Sequence, residues 1–138
     1  MVLATVQEHA ATGHRYDGFA LFGGNLGLFE SREHAPEFLG AIGRMARSGA
    51  QIVAIGGAPD DVTKDPIERA YHERNRARGR LAGQWRIRVR YRDLATPWFD
   101  YLYCSPAELE ELTANTGWRL VDLDDPGDGA YAATLRRT

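Results

Sequence analysis

The sequence predicts an α/β fold of three layers around a partial parallel sheet, and three observations carry that expectation. Residues 18–22 and 51–55 are short apolar runs, and each is followed by a glycine pair. A stretch with helical spacing separates them, and the chain closes on two more strand patterns joined by a tight turn. Strand, helix and strand make one βαβ unit, whose crossover should be right-handed because strand twist favours that packing.

Taken in order, residues 18–22 read as a strand buried on both faces, because the run is continuous rather than alternating. Gly23, Gly24, Asn25, Leu26 and Gly27 then break regular structure and form a loop. Phe38, Leu39, Ile42, Met45 and Ala46 follow helical spacing after Pro36, so a helix is expected from about residue 35 to 48, with Gly49 as its stop. Residues 51–55 supply the neighbouring parallel strand.

An insert follows over about residues 61–104. Asp65, Pro66 and Glu68 combine a cap, a proline at the first helical position and a capping-box acid, so a helix should run toward Gly79. Its apolar stripe is thin, which suits a peripheral cover or lid. Trp85, Ile87, Val89 and Tyr91 then alternate with Arg86, Arg88, Arg90 and Arg92, as in a strand with one apolar and one cationic face. Residues 98–104 look like its antiparallel partner. Ser105, Pro106 and Glu108 open another helix, and residues 119–123 and 130–135 close the chain as two antiparallel strands.

At 138 residues the chain is sized for a single domain spanning 1–138, and its 43% hydrophobic content excludes a disordered or fibrous class. No apolar run reaches membrane length, so no membrane partner is expected. A net charge of -2 argues against a uniformly basic nucleic-acid binder, although nine arginines fall between Arg69 and Arg92. The lone Cys104 and the absence of a signal-peptide pattern over residues 1–4 point to a cytoplasmic setting. Cys104 reads as a buried small hydrophobe. The four histidines lack zinc-site spacing, so no metal is expected.

In an open parallel sheet, ligands bind beyond the carboxyl ends of the strands, which singles out residues 23–26 and 56–58. Glycine there lets a ligand approach the backbone, and Asn25 can both donate and accept. There is no Gly-x-Gly-x-x-Gly and no phosphate-binding Gly-Lys-Ser/Thr, so a dinucleotide or nucleoside triphosphate site is unsupported.

The string Tyr16-Asp17-Gly18-Phe19-Ala20-Leu21-Phe22-Gly23-Gly24-Asn25-Leu26-Gly27-Leu28-Phe29, with residues 49–57, 71–80, 86–91, 96–99 and 105–118 in that order, resembles the C-terminal half of a class I S-adenosylmethionine-dependent methyltransferase. The resemblance covers nearly the whole chain. It implies a partial Rossmann-like sheet carrying strands four to seven of the family order 3-2-1-4-5-7-6, with a helix and hairpin inserted between strands five and six. It also implies S-adenosylmethionine as cofactor and an unidentified small molecule as methyl acceptor. Gly23, Gly24, Asn25 and Leu26 match the family's loop after strand four, beside the methionine moiety. Tyr71, Arg74, Arg88, Tyr91 and Trp98 resemble a substrate-side cover, and His72 or Glu73 could take a proton if the acceptor must lose one. The family's glycine-rich loop after strand one and its ribose-binding acid have no counterpart here, so weak or absent cofactor binding is expected of this chain alone.

Two other readings use different residues. The arginine face of residues 86–92, with Phe99, Tyr101 and Tyr103 nearby, could grip phosphates and stack bases. Net negative charge disfavours that nucleic-acid reading, and pairing of the arginines with the acidic C-terminal third is expected instead. Alternatively the chain is a non-catalytic interaction half-domain. With strand four first in the chain, one sheet edge would be unpaired and hydrophobic, which calls for a cover. Residues 2–11, a second copy making a homodimer, or a separate complementing chain are the candidates, and a truncated start is a fourth alternative.

Overall fold

The computed structural model describes residues 3–138; Met1 and Val2, part of the segments read above as signal-free and as an edge cover, lie outside them. Helix α1 (Val6–Ala10) starts at a capping box in which Thr5 Oγ1 accepts from the Glu8 N–H and the Glu8 carboxylate accepts from the Thr5 N–H at 2.7 Å. Its Ala10 packs with Ala41 and Met45 of the next helix. Strand β1 (Tyr16–Leu21) follows, then Gly23 and Gly24 turn the chain in the left-handed region, at φ 62° and 88°. Beyond them the chain is more regular than expected. Asn25–Phe29 winds into a 3₁₀ turn that buries Leu26 and Phe29, the latter ring lying 5.7 Å from Phe38.

Helix α2 (Ala35–Met45) ends earlier than the expected residue 48, because Ala46 turns extended and pairs with Tyr16. Strand β2 (Ala46–Gly57) therefore begins at once. Gly49, at φ 75°, sits in residues that loop out where the register slips between Tyr16↔Ala46 and Gly18↔Gln51, so it is not the helix stop.

The four-stranded sheet has the order β1, β2, β8 (Ala130–Arg137), β7 (Trp118–Asp124). β1 and β2 run parallel, with Phe19 opposite Ile52 and Leu21 opposite Ala54, as the apolar runs imply. β8 lies antiparallel to both its neighbours. Slotting the last strand between β2 and β7 gives the four-five-seven-six order of the resemblance.

The sheet has one covered and one bare face. Phe19, Ile52, Leu135 and Leu120 form a row on the covered side, where Ile52 and Leu135 are fully buried. Helix α2 and helix α5 (Pro106–Thr113) share that side, and the Trp118 indole N–H donates to the Leu39 carbonyl at 3.1 Å. On the other side run Ala20, Val53, Thr134 and Asp122, with Val53 38% and Ile55 41% exposed. β1 is thus buried on one face, not two. Its continuous apolar run fits a two-faced strand, but the described residues supply the sheet and a single helical layer.

The insert comprises a single-turn α3 (Pro59–Val62), α4 (Pro66–Ala77), and a hairpin of β3 (Gly83–Ile87) with β6 (Phe99–Tyr103). Asp65 caps α4 by accepting from the Ile67 N–H at 2.8 Å. Glu68 does not complete a capping box; its carboxylate takes the Thr63 hydroxyl instead. The alternating strand also stops short, at Ile87. Val89 bonds to Thr96 and Arg92 turns left-handed at φ 52°, leaving a small tip hairpin of β4 (Arg90–Tyr91) and β5 (Leu94–Ala95). From the arginine face Arg86 meets Asp100 on the neighbouring strand at 3.1 Å, joined there by Arg80 from ahead of β3 at 3.3 Å, and not the acidic C-terminal third. No helix among the described residues is long and apolar enough to cross a membrane.

Candidate functional site

Where β1 and β2 end, side by side, a cleft of about 300 Å³ opens between the turn after β1 and the glycines after β2. Gly23, Gly24 and Leu26 line it, while Asn25 is exposed and does not. Its far wall is Gly56, Gly57 and Gly129, and the hairpin residues Tyr101 and Tyr103 close the top. Glycine is needed here for close approach: a Cβ on Gly24 or Gly27 would run into the Tyr101 side chain, and one on Gly56 into the Tyr131 ring. The Tyr101 hydroxyl donates to the Gly24 carbonyl. Burial, with some help from Tyr103, pushes the Tyr101 hydroxyl above its ordinary pKa, so it stays a donor.

A second cavity, of about 500 Å³, lies beneath α4 and shares Val62, Tyr101 and Tyr103 with the cleft. Trp85 and Ile87 form much of its apolar wall, and Thr63, Glu68 and His72 are its other polar side chains. His72 is 1% exposed, and neither ring nitrogen has a hydrogen-bond partner. Its Nδ1 stands 3.5 Å from Asp60 Oδ1, at ion-pair range without hydrogen-bond geometry, while the other Asp60 oxygen pairs with Arg76. The ring meets Trp85 edge-on at 5.8 Å. His72 was placed by sequence on a lid helix, and the structure buries it in the lid's inner wall.

The remaining sequence candidates scatter. The Tyr71 ring stacks on the Trp85 ring at 4.5 Å, and its hydroxyl accepts from the Arg86 N–H at 3.2 Å, which is hairpin packing. Glu73 and Arg74 are exposed on α4. Arg88 lies 4.9 Å over the Trp98 ring, and Tyr91 and Trp98 are more than half exposed near the hairpin tip. None of these six lines either cavity. Thr63, Glu68 and Trp85, which do, are not among the sequence candidates, and Tyr101 is one only in the nucleic-acid reading. The available signal was the spacing of Glu68, His72 and Asn75, which puts three polar groups on one inward helical face.

Cys104 is fully buried, and its thiol is pushed up to about 12, chiefly by burial. It is a packing residue. Among the described residues no group of three His, Cys, Asp or Glu side chains is gathered as a metal site.

No family model and no curated protein matches this chain. Solved structures do. A SAM-dependent methyltransferase from Bacteroides fragilis, in complex with S-adenosyl-L-homocysteine, superposes with a TM-score of 0.70 at 18% identity, covering 91% of this chain and 49% of that one. The CcbJ methyltransferase from Streptomyces caelestis gives 0.62 at 15% identity, covering 99% and 63%. A SAM-dependent methyltransferase from Methanosarcina mazei gives 0.60 at 12%, covering 90% and 61%. The chain spans about half the length of the first and under two thirds of the others. At such identities the likeness concerns backbone architecture, and it agrees with the parallel β1–β2 pair and the inserted β8. The fold of this chain is that of the class I S-adenosylmethionine-dependent methyltransferases.

Proposed function

We propose that the chain is the acceptor-side half of an S-adenosylmethionine-dependent methyltransferase acting on a small molecule, and that another polypeptide segment or a second copy completes its cofactor site. The observation that carries the reading is the glycine-walled cleft at the parallel strand ends, in a fold whose solved examples are methyltransferases. Its volume of about 300 Å³ is at the lower end for ligand sites. That suits the methyl-bearing end of the cofactor and not the whole of it. No acidic side chain lines the cleft to take ribose hydroxyls.

When bound, S-adenosylmethionine supplies an electrophilic methyl group on a sulfonium. The chain's contribution is placement, which can account for much of the rate of such a displacement. The backbone of Gly23, Gly24, Gly56 and Gly57 would hold the methionine end, Tyr101 would fix the loop, and the cavity under α4 would hold the acceptor. His72 is the proton-taking candidate on geometric grounds, since Glu73 points away from both cavities.

The need for a complement is supported by β1, which has no strand on its outer side among the described residues, and by the bare apolar face carrying Val53 and Ile55. The same exposure favours a second reading, a non-catalytic half-domain that only associates. Heteronuclear NMR with millimolar S-adenosylmethionine separates the two. Shifts at the amides of Gly23, Gly24, Gly56 and Gly57 are expected, with weak affinity. Silence at those glycines removes the methyltransferase reading, and micromolar or tighter binding removes the half-site.

A further inference from the structure

We infer that the cavity beneath α4 binds a planar aromatic molecule carrying a hydroxyl group, whose hydrogen bond is accepted by the His72 imidazole. The inference deepens the methyl-acceptor reading, and it rests on that reading only for the word acceptor.

The first support is His72 itself. A buried polar group without a partner costs free energy of order 1–3 kcal/mol, and native structures rarely leave one unexplained. Here the unexplained group lines a cavity of about 500 Å³, which is ample for a small ligand. A single trapped water is a poor solution, because it needs two to four polar partners. Of the other polar side chains of the wall, Thr63 and Glu68 are bonded to each other and the Tyr101 hydroxyl is bonded to the Gly24 carbonyl. The Asp60 carboxylate, 3.5 Å from Nδ1, electrostatically favours the tautomer with its hydrogen on that nitrogen, which leaves Nε2 as the acceptor without a donor.

The walls define the rest of the ligand. Trp85, Tyr101 and Tyr103 present aromatic surface, which pairs best with another flat ring. No arginine or lysine lines the cavity, and Glu68 brings a carboxylate to it, so phosphates and carboxylates are disfavoured. A neutral aromatic hydroxyl meets both conditions and supplies the missing donor. The shared residues Val62, Tyr101 and Tyr103 make the cavity a neighbour of the glycine cleft, so a ligand here sits next to the strand ends.

The test is an NMR titration of the full chain with 2-naphthol, naphthalene and 2-naphthoate. Naphthol should bind about tenfold or more tighter than naphthalene, the scale of one buried hydrogen bond, and naphthoate should bind worst. Naphthol should also move the His72 Nε2 resonance. In His72→Leu the naphthol preference should vanish while naphthalene binding persists. Should that variant fail to fold, Val62→Trp is the second probe: Val62 is 53% exposed, so it should block naphthol without lowering the unfolding temperature. Equal affinity for naphthol and naphthalene in the native chain, tighter naphthoate binding, an unmoved Nε2 signal, or unchanged naphthol binding in Val62→Trp overturns the inference. Naphthol binding as stated with no glycine shifts from S-adenosylmethionine sinks the methyl-transfer reading and leaves this site standing; glycine shifts without naphthol binding do the reverse.

Discussion

The hydroxyl of Tyr101 donates to the main-chain carbonyl of Gly24, joining the inserted hairpin to a turn 77 positions earlier in the chain. The tyrosine ring occupies the space that a side chain at Gly27 would need. Insert and strand-end turn are therefore latched by one residue. Tyr101→Phe keeps the ring and drops the hydrogen bond, and should cost about 1 kcal/mol in urea unfolding. Gly27→Ala forces a methyl group into the ring and should cost more, about 1–3 kcal/mol. Wild-type stability in Gly27→Ala would mean the ring does not lie on the turn.

A second latch sits inside the insert. Asn75 is 3% exposed, and its amide donates to the carbonyls of both Ala82 and Gln84 at 2.9 Å. Asn75→Leu conserves bulk but leaves two buried carbonyls unpaired, an expected loss of about 2–4 kcal/mol. Arg74→Ala, on the exposed side of the same helix, should change stability by no more than about 0.5 kcal/mol. Thermal unfolding of the pair checks this, and equal midpoints would remove Asn75 as the organiser of the α4–β3 connection.

These two latches also show what the sequence could and could not disclose. The parallel pair at Phe19 and Ile52, the capped start of α5 at Ser105 and the closing strands were legible, because apolar periodicity and capping chemistry are local signals. The bare face of β1 was not, since burial depends on which layers are present to cover it. In the insert, Trp85 through Arg92 carry a strand period that runs past the place where Val89 and Thr96 tie off the tip. Aromatic and arginine content drew attention to Tyr91 and Trp98, which ended up exposed. The cavity is lined instead through Glu68 and His72, whose spacing puts them on one face of α4 but whose turn toward the cavity is set by the packing of α4 on β3, a tertiary contact.

Acid should loosen the insert through Asp100. Burial raises the pKa of this carboxyl, but hydrogen bonds from Gln84 and Arg86 and the charge of Arg80 outweigh it and hold it below the ordinary 3.8. A depressed folded-state value means the unfolded chain binds the proton first, so the contribution to stability is complete above 3.8 and is lost as pH falls through the lower folded value. Asp100→Asn should flatten the stability profile on the acid side while lowering stability at neutral pH. A profile as steep as that of the native chain would rule Asp100 out as a source of the acid sensitivity.

At the alkaline end the corresponding group is Cys104. Its side chain is fully buried, the Tyr131 hydroxyl donates to its carbonyl at 2.8 Å, and burial together with the Glu108 charge lifts the thiol from 9.0 to about 12 against the lowering effect of a Tyr131 hydrogen bond. Because the folded value is the higher one, this group's stabilisation is complete below pH 9.0 and declines as pH climbs toward about 12. Thiolate is the reactive form, so at pH 8 the native chain should resist iodoacetamide and be alkylated only as it opens. Adding urea should then raise the alkylation rate in step with the unfolded fraction read by circular dichroism. Stoichiometric labelling within minutes in buffer alone would place Cys104 at a surface, and its contact with Tyr131 of β8 would have to be redrawn.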